Sequence, residues 1–189
     1  EAQEMSLALA AKSVAFNGVA HRFTLHHGDL RDEAVHAALL KDGAFDLVMG
    51  SPPYWPVTDR IAAEHPQAIP ARLEVRGSIA DYAQAAAKLL APGGLFACVF
   101  PNDQRERARA AYRDADLLLL HEREVIFKEG EAYGLILMAG SRRADFPPDF
   151  EVKAALPEVE APILIRRSDN SVHPSIALAR VGLGFPPGL

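Results

Sequence analysis

Two periods of hydrophobicity alternate along the chain and predict its helices and strands. Apolar residues at helical spacing predict helices over residues 2–17, 32–41, 78–90 and 103–115. Short apolar runs predict strands over residues 22–27, 45–50, 95–100, 117–127 and 133–139. Because helices and strands alternate through most of the sequence, we expect an α/β fold with a mainly parallel sheet and ligands at the carboxyl ends of its strands.

Three segments carry more specific signals. The run 45–50 is almost continuously apolar, which is typical of a parallel strand covered on both faces. The strands 117–127 and 133–139 are separated by a short polar turn and should form an antiparallel hairpin that ends the sheet. Residues 55–77 mix prolines and charges without a clean period, and a loop of this length in a compact domain is usually functional or mobile.

Composition is typical of one compact soluble domain. The chain has 189 residues, 49% hydrophobic and 24% charged, which is enough to bury a real core. A single cysteine, Cys98, forms no internal disulfide, which favours a reducing, cytoplasmic setting. No apolar run approaches the roughly 18 residues of a membrane span, so we expect no membrane partner. The formal net charge of −5 argues against binding nucleic acid through general positive charge and leaves only a local patch.

The tetrapeptide Ser51-Pro52-Pro53-Tyr54 directly follows the strand 45–50, at the sheet edge where a parallel sheet places its site. Each proline fixes its own φ and has no N–H, so the segment is a stiff bracket that presents carbonyl oxygens without competing donors. Ser51 and the Pro52 carbonyl can each accept one hydrogen of an amino group, and Tyr54 can stack on a planar base or amide. On these grounds alone, a proline turn with Tyr54 covering the core is an equal alternative.

This tetrapeptide resembles the (Asp/Asn/Ser)-Pro-Pro-(Tyr/Phe) motif of S-adenosylmethionine-dependent methyltransferases that modify planar amino nitrogens. The similarity extends from Glu1 to about Arg143. In order, it includes Glu1-x-Gln3, Asn17, Gly28-Asp29-Leu30, Phe45-Asp46-Leu47-Val48, Arg72-x-Glu74 and Leu89-Leu90-x-Pro92-Gly93-Gly94. With these motifs in this order, the chain resembles the bacterial tRNA adenine-N6 methyltransferase group.

The resemblance implies a Rossmann-like class I methyltransferase sheet, which usually ends in an antiparallel hairpin. It implies S-adenosyl-L-methionine as the cofactor, and an adenine N6 amino group in structured RNA, in particular tRNA, as the acceptor. It places the methyltransferase domain at residues 1–143 and leaves 144–189 as a C-terminal extension packed on the same domain. It also implies a glycine-rich turn, with its strand and helix, upstream of Glu1, so we expect the chain as printed to bind cofactor weakly.

Carried over residue by residue, the resemblance places the cofactor beside Glu1, Gly28, Asp29, Leu30 and Ser51. Glu1 matches the acid that accepts hydrogen bonds from the two ribose hydroxyls. Asp29 matches the acid that accepts from the adenine amino group, with the Leu30 backbone beside it. Simpler explanations stay open, since Glu1 can be a frayed terminus and Asp29 can be the N-cap of the helix that follows.

For the reaction, the resemblance assigns the catalytic role to the bracket Ser51, Pro52, Pro53 and Tyr54. The acceptor-binding residues it implies are Tyr54, Trp55, Arg72 and Glu74. Ser51 departs from the commoner asparagine or aspartate, so the first acceptor is shorter and its backbone carbonyl or a water can act instead. The expected mechanism is direct displacement, which needs accurate placement of the reactants but no tuned base.

Two other functions stay open. Methylation of a glutamine side-chain amide in a protein uses the same bracket. The acidic net charge of the chain does not favour RNA as the substrate. A non-catalytic interaction domain that keeps the fold is the third possibility, since the upstream turn is expected to be missing.

Basic and histidine clusters give weaker signals. The arginines 105, 109 and 113 recur along one helix and are expected mainly as a solvated face paired with Glu106 or Asp114. Arg142-Arg143 and Arg166-Arg167 are better phosphate candidates. Adjacent strand residues point to opposite faces, so His26 and His27 do not converge and we expect no metal site.

Overall fold

The computed structural model describes residues 1–57, 68–132, 134–148, 150 and 158–186 of the chain. The helices in this part are α1 (Glu4–Phe16), α2 (Glu33–Leu39), α3 (Ala68–Arg72), α4 (Ile79–Leu89), α5 (Arg105–Asp114) and α6 (Pro174–Gly182). The strands are β1 (Phe45–Gly50), β2 (Leu90–Pro101), β3 (Leu117–Lys128), β4 (Gly134–Arg142) and β5 (Glu158–Arg166). The alternation of helices and strands gives the α/β class that the sequence predicts.

The described strands form one sheet in the order β1-β2-β4-β3-β5. β1 is parallel to β2 and β3 is parallel to β5, whereas β4 is antiparallel to both of its neighbours, β2 and β3. The sheet is therefore mixed: of the described strands, β1, β2, β3 and β5 run in one direction, and β4 alone runs against them, between β2 and β3. The pairing of β3 with β4 does not end the sheet, since β5 continues it beyond β3.

Local capping chemistry explains where two helices begin. The Asp32 side chain accepts a hydrogen bond from the Ala34 N–H at 2.8 Å, at the start of α2. At the start of α4, the Ser78 N–H donates to Asp81 Oδ2 at 2.7 Å, which completes the predicted capping box. Because Asp32 is the N-cap of α2, the carboxylate of Asp29 is not needed for that role.

Residues 22–27, which we predicted as a strand, form no strand in the structure. Residues 20–22 are a 3₁₀ turn, and the chain then continues to His27 without strand pairing. The N-terminal amine of Glu1 donates to the His26 carbonyl at 3.0 Å, and the Gly28 N–H donates to the Glu1 carbonyl at 3.1 Å. A strand needs a neighbouring strand to complete its ladder of hydrogen bonds. Both of these hydrogen bonds involve Glu1 alone, so they do not form such a ladder.

The core lies on one face of the sheet, beneath α4 and α5. Tyr112 of α5 is fully buried, and its hydroxyl lies 3.2 Å from the carbonyl oxygens of both Phe96 and Met138, so its polar atom is satisfied. The buried cluster comprises Ile79, Ala83, Ala86, Leu90, Phe96, Cys98, Phe100, Ala108, Ala111, Tyr112, Leu117, Ile136 and Met138. This core fixes the carboxyl ends of β1 and β2, where the candidate site lies.

The opposite face of the sheet has little cover from the described residues. Phe45, Leu47 and Met49 of β1 are 38%, 50% and 73% exposed, so the prediction that this strand is covered on both faces is wrong for the described structure. A groove of about 750 Å³ lies on this face, between Met49 and Ile163. The apolar stripe predicted for α1 is also uncovered, since this helix buries none of its residues.

Candidate active site

The segment Ser51 to Tyr54 leaves the sheet at the carboxyl end of β1, which ends at Gly50. A Cβ atom at residue 50 would lie 2.7 Å from Cδ1 of Tyr82, so glycine lets the ring of Tyr82 approach the end of the strand. Pro52 and Pro53 are buried, whereas Ser51 is exposed. The prolines therefore anchor the bracket, and Ser51 is the member that faces solvent.

The carbonyl oxygens of the bracket are not consumed by the backbone of the described residues. Outside the helices and strand ladders, no described N–H donates to the carbonyl of Ser51, Pro52 or Pro53. The two proline nitrogens carry no hydrogen, so this stretch adds acceptors without adding donors. The bracket thus keeps the hydrogen-bonding character that its sequence predicts.

The position of Tyr54 fits both interpretations of the sequence, in which its ring either covers the core or stacks on a planar ligand. Its ring is half-buried and packs edge-on against the fully buried Phe100, with ring centroids 5.6 Å apart and an interplanar angle of 85°. An edge-on contact holds the ring by one side and leaves an aromatic face for another planar group. Tyr54 therefore covers part of the core while keeping a surface that a ligand can use.

A backbone clamp holds the residues after the prolines. The N–H groups of Tyr54 and Trp55 both donate to the Arg72 carbonyl at 3.1 Å, and the Glu74 N–H donates to the Trp55 carbonyl at 2.9 Å. Trp55 and Leu73 form an isolated β-bridge. Of the predicted loop 55–77, residues 58–67 lie outside the described residues, but its two described ends are joined by this clamp.

A cavity of about 550 Å³ opens beside the bracket. Six residues singled out from the sequence line it, namely Glu1, Gly28, Asp29, Leu30, Ser51 and Pro53. The other lining residues are Ala2, Gln3, Pro70, Ala71, Arg76 and Tyr82. The structure thus brings three distant segments to one cavity, whose volume is within the range of small-molecule sites.

Hydrogen-bond acceptors at the mouth of this cavity come from two carboxylates, Glu1 and Asp29. Oε1 of Glu1 accepts from the Gln3 N–H at 2.8 Å, which fixes the side chain of the first residue. The guanidinium of Arg76 donates to the Ala2 carbonyl at 3.0 Å and brings a positive charge to the same wall. The site therefore offers acceptors suited to hydroxyl and amino groups.

Arg31 holds the Asp29 carboxylate in place. Its Nε lies 2.9 Å from Oδ1 and its Nη2 lies 2.7 Å from Oδ2, and its backbone N–H also donates to Oδ1 at 2.9 Å. The side-chain hydrogen bonds from Arg31 lower the pKa of Asp29 from 3.8 to about 2, against the opposing effect of desolvation. Asp29 is accordingly an ionised acceptor throughout the neutral range.

Replacing Arg31 with methionine should raise the pKa of Asp29 from about 2 towards its ordinary value of 3.8. A lowered carboxyl pKa stabilises the fold above the unfolded-state pKa, and this stabilisation disappears as the pH falls through the folded-state pKa. The variant should therefore lose a contribution that the wild type retains above about pH 4. Carbon-13 NMR titration of the Asp29 carboxyl measures the shift, with Arg22→Met as the control. Titration of wild-type Asp29 near 3.8 would contradict this prediction.

The other five predicted residues, Pro52, Tyr54, Trp55, Arg72 and Glu74, do not line the 550 Å³ cavity. Trp55 is 44% exposed, next to the bracket. Arg72 contributes its carbonyl to the clamp, and the Glu74 carboxylate forms an ion pair with Arg107 of α5. In this structure, Arg72 and Glu74 thus hold the end of the bracket in place and do not form part of the cavity wall.

Arg76 and Tyr82 line the cavity but were missed by the sequence reasoning. Tyr82 falls on the apolar stripe of its helix, so its spacing marks it only as a core residue. Burial, followed by the charges of Glu1 and Asp29, raises the pKa of the Tyr82 phenol, which keeps it protonated. Arg76 lies in an irregular stretch, where nothing in the sequence distinguishes it from the neighbouring charges.

The arginines of α5 differ from the predicted solvated face. Arg105 pairs with Glu124, and Arg109 pairs with the buried Glu122, so both reach the sheet. The expected surface pairing is present between Arg109 and Glu106 and between Arg113 and Asp114. The arginines on this face of α5 therefore mostly form ion pairs within the chain.

Three of the four phosphate candidates, Arg142, Arg143 and Arg166, have side-chain partners within the described chain. Arg142 pairs with Asp145, and Arg166 donates to the Asn170 carbonyl at 2.7 Å. In the described part of the chain, no group of three or more metal-ligating side chains is found. The helices described here include none with the length and hydrophobicity needed to cross a membrane.

No protein-family model matches the chain, and no curated protein matches it in sequence. Its structure is similar to that of a predicted O-methyltransferase from Agrobacterium tumefaciens, with a TM-score of 0.65 and 15% identity over 98% of this chain and 76% of that chain. A modification subunit of a putative type I restriction enzyme from Vibrio vulnificus gives 0.48 and 11%, over 92% and 37% of the two chains. A putative DNA modification methylase from Thermus thermophilus gives 0.40 and 18%, over 69% and 59%. The first similarity shows a methyltransferase-like α/β fold, and the two lower scores add nothing to it.

Proposed function

We propose that this chain is a class I N-methyltransferase that uses S-adenosyl-L-methionine to methylate the N6 amino group of an adenine in structured RNA, in particular tRNA. One observation carries the proposal: the Ser51–Tyr54 bracket borders a cavity of about 550 Å³ lined by two carboxylates, at the carboxyl end of β1. An amino-directed methyltransferase needs this combination of acceptors for the amino group and a neighbouring pocket for a nucleoside. The fold shared with a predicted O-methyltransferase supports the same reaction class.

The residues around the cavity fit the nucleoside part of the cofactor. Glu1 can accept from two ribose hydroxyls, and Asp29 can accept from an adenine amino group. Asp29 has a pKa of about 2 and is ionised at neutral pH, and its hydrogen bonds with Arg31 hold this acceptor in place. S-adenosyl-L-methionine supplies a methyl group already activated by its sulfonium.

The bracket supplies placement and charge stabilisation. Ser51 and the Pro52 carbonyl accept the two hydrogens of the target amino group, which pulls the nitrogen lone pair out of conjugation with the base. S-adenosyl-L-methionine held beside Glu1 and Asp29 would supply the methyl group to this nitrogen, with sulfur keeping the bonding electron pair, and the extra proton of the nitrogen would leave to solvent. The same oxygens stabilise the positive charge on nitrogen. Correct placement lowers the barrier without a general base.

Two features support a nucleobase as the acceptor. Tyr54 offers an aromatic face beside the bracket, and the exposed Trp55 extends this surface outward. A base in a folded RNA must leave its stack to reach the bracket, at a cost of a few kcal/mol that is smallest in a loop. The motif order that resembles the tRNA adenine-N6 group favours adenine over a protein glutamine.

Incubation with methyl-labelled cofactor and separate pools of tRNA, rRNA and protein tests this function. We expect label in tRNA, recovered as N6-methyladenosine after digestion to nucleosides, and none in reactions that lack the protein. Label in the protein pool alone would refute the RNA acceptor and favour the glutamine amide. Cofactor binding without label in any pool would favour a non-catalytic domain.

A further inference from the structure

The bracket has few backbone contacts of its own. It follows β1, which lies at one edge of the described sheet, and its two prolines have no N–H to donate. Its described backbone ties are the hydrogen bonds of Tyr54 and Trp55 to residues 72–74. The buried prolines anchor the start of the bracket, whereas the backbone of Tyr54 and Trp55 depends on what holds residues 72–74.

An ion pair from α5 holds this supporting segment. The Glu74 carboxylate is only 11% exposed and pairs with the guanidinium of Arg107. Nη1 of Arg107 also donates to Oε1 of Gln104 at 3.2 Å, which fixes the guanidinium at the start of α5. A partly buried pair with a second hydrogen bond is held more firmly than an exposed surface pair.

The same guanidinium also contacts the ring that supports Tyr54. Cζ of Arg107 lies 5.8 Å from the centroid of Phe100, within the range of a cation–π interaction. Phe100 in turn packs edge-on against the Tyr54 ring. One side chain therefore contacts both Glu74, whose N–H holds the Trp55 carbonyl, and Phe100, which packs against the Tyr54 ring.

We propose that Arg107 is a positioning residue for the Ser51–Tyr54 bracket and acts through Glu74 and Phe100. Arg107 is not among the residues that line the 550 Å³ cavity, so it lies outside the wall that we propose for the cofactor. Its loss shifts Tyr54 and Trp55, which do not line the cavity, while the two cavity carboxylates, Glu1 and Asp29, keep their places. The catalytic consequence rests on the proposed function, whereas the structural consequence does not.

Trp55 makes the structural consequence measurable, because it is the only tryptophan in the chain and adjoins Tyr54. In Arg107→Ala, we expect the steady-state anisotropy of Trp55 to fall and its quenching by acrylamide to rise. Arg113→Ala is the matched control, since this arginine lies on the same helix, is 74% exposed and pairs only loosely with Asp114 at 3.6 Å. Glu74→Gln, which keeps the side-chain volume, should show the same change in Trp55 fluorescence. Arg107→Lys, which keeps the positive charge, should show a smaller change than Arg107→Ala.

The kinetic readout separates positioning from a general loss of structure. In Arg107→Ala, kcat should fall by about 10²-fold, as expected for a small misplacement of reacting groups, while cofactor affinity is retained. Combining Arg107→Ala with Glu74→Gln should cost little more than either change alone, because both break the same pair.

Unchanged Trp55 anisotropy and quenching in both Arg107→Ala and Glu74→Gln would overturn the positioning role. Fully additive effects of the two substitutions would overturn it as well. If Arg107→Ala fails to fold, the fluorescence of Glu74→Gln decides. Absence of transfer by the wild-type protein would refute the proposed function, and the fluorescence comparison would still decide the role of Arg107.

Discussion

Replacing Arg109 with alanine should lower the free energy of unfolding by about 3–5 kcal/mol, because it leaves a buried carboxylate without its counter-charge. Glu122 of β3 is fully buried, and its two oxygens lie 2.7 Å from Nε and 2.5 Å from Nη2 of Arg109. These hydrogen bonds raise the pKa of the Arg109 guanidinium above its ordinary value. The charge that balances Glu122 is therefore present at every pH at which the protein is handled.

Urea unfolding followed by circular dichroism measures this loss as a lower midpoint at unchanged slope. Arg113→Ala is the control on the same helix and should change stability by less than about 0.5 kcal/mol, because its side chain is mostly exposed. The double variant Arg109→Met with Glu122→Met should recover much of the loss, since it removes both charges and fills the space with apolar groups. Equal midpoints for Arg109→Ala and Arg113→Ala would contradict the argument.

The elements that the sequence predicts best are those with local signals. α4 begins where the capping box of Ser78 and Asp81 places it, and β3 and β4 flank the polar turn after Lys128. The residues 22–27 show the limit of such signals. Their alternation resembles a strand, but strand formation depends on a neighbour, and the pattern of one segment cannot show whether a neighbour is present.

Burial of β1 could not be predicted for the same reason. The apolar run Phe45–Gly50 has the composition of a strand covered on both faces, yet Met49 is 73% exposed in the described structure. Hydrophobicity gives the tendency of a strand to be covered, whereas actual cover depends on the elements that pack on it.

The candidate site likewise has some residues that sequence motifs predict and some contacts that they do not. Glu1, Asp29 and Ser51 follow motifs in the sequence, and the structure places them around one cavity. The pairing of Glu74 with Arg107 joins residues 33 positions apart, so no local spacing rule reveals it. Sequence motifs therefore supply part of the lining of the candidate cavity, while Arg76, Tyr82 and the ion pair that supports the bracket emerge only from the tertiary structure.

Truncation of Tyr54 separates the stacking role that we propose for it from its observed packing against Phe100. Tyr54→Ala should lower kcat for methyl transfer by at least about 10²-fold, because the acceptor loses its stacking face and the bracket loses its contact with Phe100. Cofactor affinity should stay close to that of the wild type, since Tyr54 does not line the 550 Å³ cavity. Steady-state transfer to saturating tRNA gives kcat, and isothermal titration with S-adenosyl-L-methionine gives the cofactor affinity.

Tyr54→Phe is the matched control, because it keeps both the ring and the edge-on contact while removing only the hydroxyl. It should transfer methyl groups faster than Tyr54→Ala if the aromatic face is what the acceptor uses. Loss of the edge-on contact costs the alanine variant about 0.5–1.5 kcal/mol beyond the area term, so both variants are compared well below their unfolding temperatures. Simultaneous loss of cofactor binding and transfer in Tyr54→Ala would make the residue a structural part of the core. Undiminished transfer by that variant would remove the ring from the reaction altogether.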